Sequence, residues 1–294
     1  MYVVDDVDYS EYSMLQLVSA PAVLISVALL VLALTYVITG SPVSLGFEFT
    51  GGVNVQIDDD VTVDEVESEF GSIEGAPEPE NVRSISDGAV VRYGPLDEDE
   101  LSAVQDYRDS NYPDATVSTV SAAFGASLLY QAVVAVVFAF GLMTLIVFAF
   151  FRSFVPAAGI VASAFSDMTV PIAAMTLLGI EMSLATIPAI LLLIGYSIDS
   201  DILLTRNTLK GRRSEFYTNV RTAMRTGITM TTTSMAAMAV MAVTAHLFSI
   251  FVLRDIGVIL FVGLATDLVN TYMMNVGVLR WYVLKDLHEG VEVT

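Results

Sequence analysis

Asp199 and Asp201 lie two residues apart inside an apolar run that extends from Leu184 to Thr205. A carboxylate at the centre of a membrane helix costs about 2.5–3.5 kcal/mol on insertion scales, so such a group is kept where it binds or moves something. The chemistry open to these residues is that of a proton or cation carrier. At 3.6 residues per turn the two point about 200° apart, so they serve different neighbours. Asp199 shares its face with Gly195, next to Tyr196, and a missing side chain there would admit a neighbouring helix. Asp201 shares its face with Ser197 and Thr205. Arg225 opens a later apolar run, followed by Thr226, Thr229, Thr231, Thr232, Thr233 and Ser234, hydroxyls able to line a polar path. Asp167 stands beside Ser166 in another apolar run, and Asp267 and Asn270 share a face at i,i+3 spacing.

Acids, a base and hydroxyls spread over four runs have the makeup of an ion relay. Asp199 is the favoured carrier, Asp201 the reserve, and Arg225 the partner of either. Plainer roles compete: Arg225 as an interfacial anchor, Asp201 paired with Arg206, and Asp267 with Asn270 as hydrogen-bonding glue between helices. A phosphate-binding loop needs a glycine before its lysine, whereas Lys210 and Lys285 both follow leucine. There is no cysteine, and the histidines His246 and His288 are far apart. No hydrolytic constellation is visible, so the expectation is a non-enzyme without metal site or cofactor.

The elements that must position these residues are membrane helices. The chain of 294 residues is 54% hydrophobic and 16% charged, yet its net charge is -20. Those values coexist because the charge is concentrated: residues 41–125 hold 19 acids against Arg83, Arg92 and Arg108. Runs of about 20 apolar residues cross a hydrocarbon core, and six are present: Leu15–Thr39, Leu128–Phe151, Val155–Leu178, Leu184–Thr205, Thr226–Leu247 and Phe251–Val283. Asp5, Asp6, Asp8 and Glu11 precede the first, which is too long and too acidic at its start for a cleavable signal. Pro171 and Pro188 fall inside runs that neighbouring helices can support.

Arg206, Lys210, Arg212, Arg213, Arg221 and Arg225 cluster between the fourth and fifth runs, with Arg152, Arg280 and Lys285 on the same side. The positive-inside rule places that side in the cytoplasm. The expected organisation is a cytoplasmic segment at 1–14, a first span at 15–39, an outer domain at 41–125, a five-helix bundle at 128–283 and a cytoplasmic tail at 284–294. Both termini are cytoplasmic in this multi-pass arrangement.

Within the outer segment, Val53–Ile57 alternates as a strand and Thr62–Glu65 reads as a capping box opening a helix. Val82–Ile85 and Ala89–Tyr93 flank the turn residues Ser86, Asp87 and Gly88; Asp97–Arg108 is a second helix and Thr116–Val120 a last strand. The order β-α-β-β-α-β predicts an α+β ferredoxin-like domain between the first two of six transmembrane helices. Its dense acid points to a cell living in strong salt, where screening acts within a few Å. It argues against nucleic acid as a partner.

Gly46-Phe-Glu-Phe-Thr-Gly-Gly52 resembles the G-[IV]-D-F-T-G-G signature of the SecF family, with Glu48 in place of aspartate. Ser166-Asp167 through Ile198, including Gly179, Glu181 and Leu184, matches the family's third and fourth spans, and Arg225-Thr226 is similar to its fifth-span R-T-x-x-T. The family belongs to the resistance-nodulation-division superfamily. Bacterial members carry their functional acid at the position of Ser200, flanked here by Asp199 and Asp201; this pattern, with Asp267-Leu-Val-Asn270, resembles the archaeal branch. The resemblance implies an auxiliary export subunit working with a SecD-like partner beside the Sec translocon channel, in membrane lipid. Proton or sodium flow would drive the handling of a translocating polypeptide. Phe47, Glu48, Phe49, Thr50, Gly51 and Gly52 would form a joint, moving or rigid, between the first span and the first strand. The alternatives are half of a small-molecule exporter of the superfamily and a non-energised scaffold of the translocon.

Overall fold

In the computed structural model, residues 9, 11–59, 61–85, 88–210 and 213–284 are described. The acidic lead Asp5, Asp6 and Asp8, the turn residues Ser86 and Asp87, Arg212, and the tail with Lys285 and His288 lie outside the described residues. Helix α1 (Met14–Thr39) begins at a Ser13–Gln16 capping box and ends at Gly40, whose φ of 78° supplies a left-handed cap. A one-turn helix α2 (Phe47–Thr50) then leads into a four-stranded sheet built from β1 (Gly52–Ile57), β2 (Asn81–Ile85), β3 (Gly88–Tyr93) and β4 (Thr116–Val120). Helix α3 (Val63–Gly71) joins β1 to β2 and α4 (Glu98–Asn111) joins β3 to β4.

The strands run in the order β2-β3-β1-β4, each pair antiparallel, with Val55 opposite both Val91 and Val117. Alternation then places Val53, Val55, Ile57, Ala89, Val91 and Tyr93 on one face, where Val66, Phe70 and Val104 of the two helices cover them. Thr62 caps α3 through the Glu65 amide, half of the expected capping box, whereas Asp97 and Glu100 close a full one at α4. The other face carries Asn54, Arg83 and Arg92.

Among the described residues, five helices are long and apolar enough to cross a membrane: α1, α5 (Ala122–Phe151), α6 (Phe154–Leu178), α7 (Thr186–Lys210) and α8 (Phe216–Leu247). Helix α8 starts ten residues before the run expected from Thr226, because Phe216 and Val220 bury an apolar side against Leu204 and Leu279. The last run is continuous helix in three parts: α9 (Phe251–Val269), a π-helical segment (Asn270–Asn275) and α10 (Val276–Leu284). Helix α6 is the most enclosed, packed by α1, α5, α7 and α9. Small residues permit close approach of α9 to its neighbours: a Cβ on Gly263 of α9 would fall 2.4 Å from a Leu193 methyl of α7, and one on Gly257 would fall 3.0 Å from Ala242 of α8.

Candidate functional site

The middle of α6 places Asp167 roughly 20 Å from one helix end and 17 Å from the other, and its side chain is buried. Ser163, one turn earlier, donates to its Oδ2 at 3.3 Å; Ser197 of α7 donates to the same oxygen at 2.6 Å. Asn270 Nδ2 donates to Oδ1 at 2.6 Å. Three helices therefore meet on one carboxylate.

A second pair of acids lies alongside. Asp201 of α7 is fully buried, and its Oδ1 accepts from Thr271 Oγ1 at 2.7 Å and from Asn275 Nδ2 at 2.6 Å. Thr271 Oγ1 is also 3.1 Å from Asp267 Oδ1, so one hydroxyl touches both carboxylates. Ser200 Oγ straddles Asp267 at 2.9 and 3.1 Å and lies 3.4 Å from Thr271 Oγ1. Asp201 Oδ2 and the Oδ1 atoms of Asn270 and Asn275 are buried without a hydrogen-bond partner.

Asn270, Thr271 and Asn275 all sit on the π-helical segment, whose wider turn sets three polar side chains toward α6 and α7. The Tyr272 carbonyl in that segment accepts from the Tyr9 phenol at 2.9 Å. Three carboxylates enclosed together need their charge balanced, by protons or by a cation. Hydroxyls both donate and accept, so Ser200 and Thr271 connect Asp267 to Asp201 as links of a chain. Among the described residues, no group of three or more His, Cys, Asp or Glu converges as a metal site.

The structure divides the residues singled out from sequence. Asp167, Asp201, Asp267, Asn270 and Ser197 come together. Asp199 does not: the 200° offset turns it out of the cluster, and it is exposed in this chain rather than buried. It lines a cavity of about 80 Å³ between α7 and α8 with Tyr196, Ser200, Gly227, Thr231 and Ser234. Ser200 is common to this cavity and to the carboxylate network, so the cavity ends where the network begins. Gly195 is open: a Cβ added there would find nothing within 4 Å, so no helix of this chain uses it for close approach. Arg225 lies on an exposed side of α8, more than two turns inside the helix instead of opening it. Thr226 and Thr229 are exposed as well, and their hydroxyls bond carbonyls of their own helix at 3.5 and 2.7 Å. Thr271, Asn275 and Ser163 escaped notice because single hydroxyls and amides stand out little among apolar residues, and Ser200 stood out only as the position where bacterial relatives carry an acid. The available signal was Thr271 and Asn275, four residues apart in the turns after Asp267.

The signature segment forms α2 and a tight corner. Phe49 is buried; Gly51 and Gly52 take φ of 80° and 139°, and a Cβ on Gly52 would meet the Tyr93 carbonyl at 2.3 Å. A Cβ on Gly125 of α5 would come within 2.7 Å of the Phe49 carbonyl, so α2 lies directly on the start of α5. Glu48 lines a cleft of about 260 Å³ that also includes Phe47, Arg83, Arg92 and Glu181.

Residues 100–285 match the family model described as "Protein export membrane protein SecD/SecF, C-terminal". The chain is 45% identical over 285 residues to a protein-export membrane protein SecF of Haloferax volcanii, covering 96% of each. It is 41% identical over 290 residues to one of Haloquadratum walsbyi, covering 97% of this chain and 98% of the relative. Among solved structures it is similar to SecDF, a translocon-associated membrane protein of Thermus thermophilus, with TM-score 0.74 and 23% identity. That likeness covers 96% of this chain, which spans 40% of the SecDF chain, and it shows a shared fold. The helical membrane bundle, the small antiparallel sheet and these relatives agree: the chain belongs to the SecD/SecF family of protein-export membrane proteins, as a SecF.

Proposed function

We propose that this chain is an auxiliary subunit of the Sec protein-export machinery that works beside a SecD-like partner and draws on an ion gradient. The observation that carries the gradient is the enclosed network of Asp167, Asp201 and Asp267, linked by hydroxyls and side-chain amides. In this reading Asp199 and its cavity form the mouth, and Ser200, Asp267, Thr271 and Asp201 follow inward. Arg225 and the exposed hydroxyls of Thr226 and Thr229 face the partner subunit. The helical run 251–284 is read as a sixth span. The strand order β2-β3-β1-β4 with two helices on one face fits the ferredoxin-like arrangement of the outer domain. The basic residues at the ends of α7 and α8 support cytoplasmic termini.

Asp201→Asn, Asp267→Asn and Asp167→Asn, introduced singly, test the relay through the rate of export of a secreted protein in cells at equal membrane levels of the variant. Each is expected to slow export about tenfold or more, a barrier change of roughly 1.4 kcal/mol. Asp199→Asn, at the mouth, is expected to do less. Wild-type rates in all three buried variants would leave a chain that only scaffolds its partners.

A further inference from the structure

The outer segment 41–125 has three arginines against 19 acids, and two of the three are turned toward the same residue of the bundle. Arg83 Nη2 lies 3.0 Å from Glu181 Oε1, and Arg92 Nη1 lies 2.6 Å from Glu181 Oε2. The Arg92 side chain, 12% exposed, is also 3.7 Å from Glu80 in its own domain, a looser contact. With so many acids close by, the choice of Glu181 is a matter of geometry: β2 and β3 present both guanidinium groups from the open sheet face, where the α6–α7 turn stands. Charge-assisted pairs on both oxygens of one carboxylate hold position as well as distance.

The same turn is tied again through backbone. Gly46 N–H donates to the Met182 carbonyl at 2.7 Å and Met182 N–H donates to the Ser44 carbonyl at 2.8 Å, forming a bridge between Leu45 and Met182. A Cβ on Gly46 would meet the Met182 carbonyl at 3.0 Å, so the backbones lie close. The α6–α7 turn joins the helix bearing Asp167 to the helix bearing Ser197, Ser200 and Asp201. Pro171 stands between Asp167 and the turn and lacks the N–H that would bond the Asp167 carbonyl, which softens α6 next to the acid.

We propose that Glu181 is a positioning residue that pins the sheet domain to the α6–α7 turn, so that turn and sheet move as one body when the helices around the carboxylates shift. The pin rests on the relay described above as the source of that shift. Glu181 acts through α6 and α7. The sheet side of the pin is Arg83 with Arg92.

Glu181→Gln keeps the shape and removes the charge, so it is expected to slow export at least about fivefold, the lower end of typical coupling between sites, at unchanged membrane level. Arg83→Gln with Arg92→Gln should do the same from the other side. The chain has no cysteine, so Leu45→Cys with Met182→Cys sets two thiols opposite each other in the parallel β-bridge with no competing thiol. Under oxidation this covalent pin should leave export intact in the parent and restore it in Glu181→Gln; reduction should remove the rescue. Wild-type export in Glu181→Gln, or a disulfide that fails to restore it, overturns the pin. Loss of export on oxidation of the parent pair also overturns it, since the contact would then have to open. Asp201→Asn is assayed in parallel: normal export there defeats the relay, while the disulfide rescue judges the pin independently.

Discussion

Thr271 shows how much a single hydroxyl decides in this bundle. Its Oγ1 touches Asp201 and Asp267 together, so one side chain ties the acids of two helices to each other. The offset between Asp199 and Asp201 was legible in the sequence from helical geometry alone. Which of them faced inward was not, because that depends on how α7 rotates against α9, and nothing in its own residues states it. The neighbouring Gly227 belongs to the same arrangement. A Cβ there would lie 1.8 Å from Tyr272 Oη and 3.2 Å from Cζ, and Tyr272 is buried on the π-helical segment, 5% exposed. Gly227→Ala should therefore push the ring and the segment that carries Thr271, costing about 1–3 kcal/mol as overpacking does. Adding Tyr272→Phe removes the nearer atom, so the double variant should be more stable than Gly227→Ala alone. Thermal unfolding in detergent reads the difference, and strict additivity of the two substitutions would refute the clash.

At the scale of elements, the apolar runs and the strand order could be read from hydrophobic period, since each buries its own face. The one-turn helix α2 and the π-helical segment could not. Both are set by neighbours: α2 by the start of α5 beneath Phe49, the π turn by the carboxylates and by Tyr9. The helices of the sheet domain are joined by a polar contact that also went unseen. Tyr112 and Tyr107 donate to Glu69 Oε2 at 2.6 and 3.3 Å, and both rings pack on Phe70. Burial first, then the Glu69 carboxylate, push the Tyr112 phenol above its ordinary value of 10; Tyr107 is raised for the same reasons. Above pH 10 the unfolded chain releases these protons while the folded domain keeps them. The unfolded state then binds fewer protons, and stability falls as pH rises. Below pH 10 the contribution is complete. Melting of the full chain in detergent is expected to weaken between pH 10 and 11, and Tyr107→Phe with Tyr112→Phe should flatten that decline. An equally steep decline in the double variant would place the titration elsewhere.

For the whole molecule, charge is sorted by depth and side. Acid gathers on the sheet domain, basic residues gather at the far ends of α7 and α8, and between them lie the three enclosed carboxylates. This sorting fixes a topology only if the run 251–284 crosses the membrane, and that run holds Arg254, Asp255 and Asp267 within a single helix. Arg254 pairs with Asp255 at 2.8 Å and lies over the Phe251 ring, which suits the rim of a membrane. Asp267 is taken up by Ser200 and Thr271, so none of the three charges needs to meet lipid. With no native cysteine, single substitutions report sidedness directly. Three helices separate Asp99 from Lys210, so Asp99→Cys should react with a membrane-impermeant maleimide on intact cells and Lys210→Cys only after permeabilisation. Leu284→Cys decides the last run: if α9, the π turn and α10 cross as one helix, it behaves like Lys210→Cys. Labelling of Leu284→Cys from outside would leave Asp267 on a helix that turns back, and a gradient would then have no continuous path across the bundle.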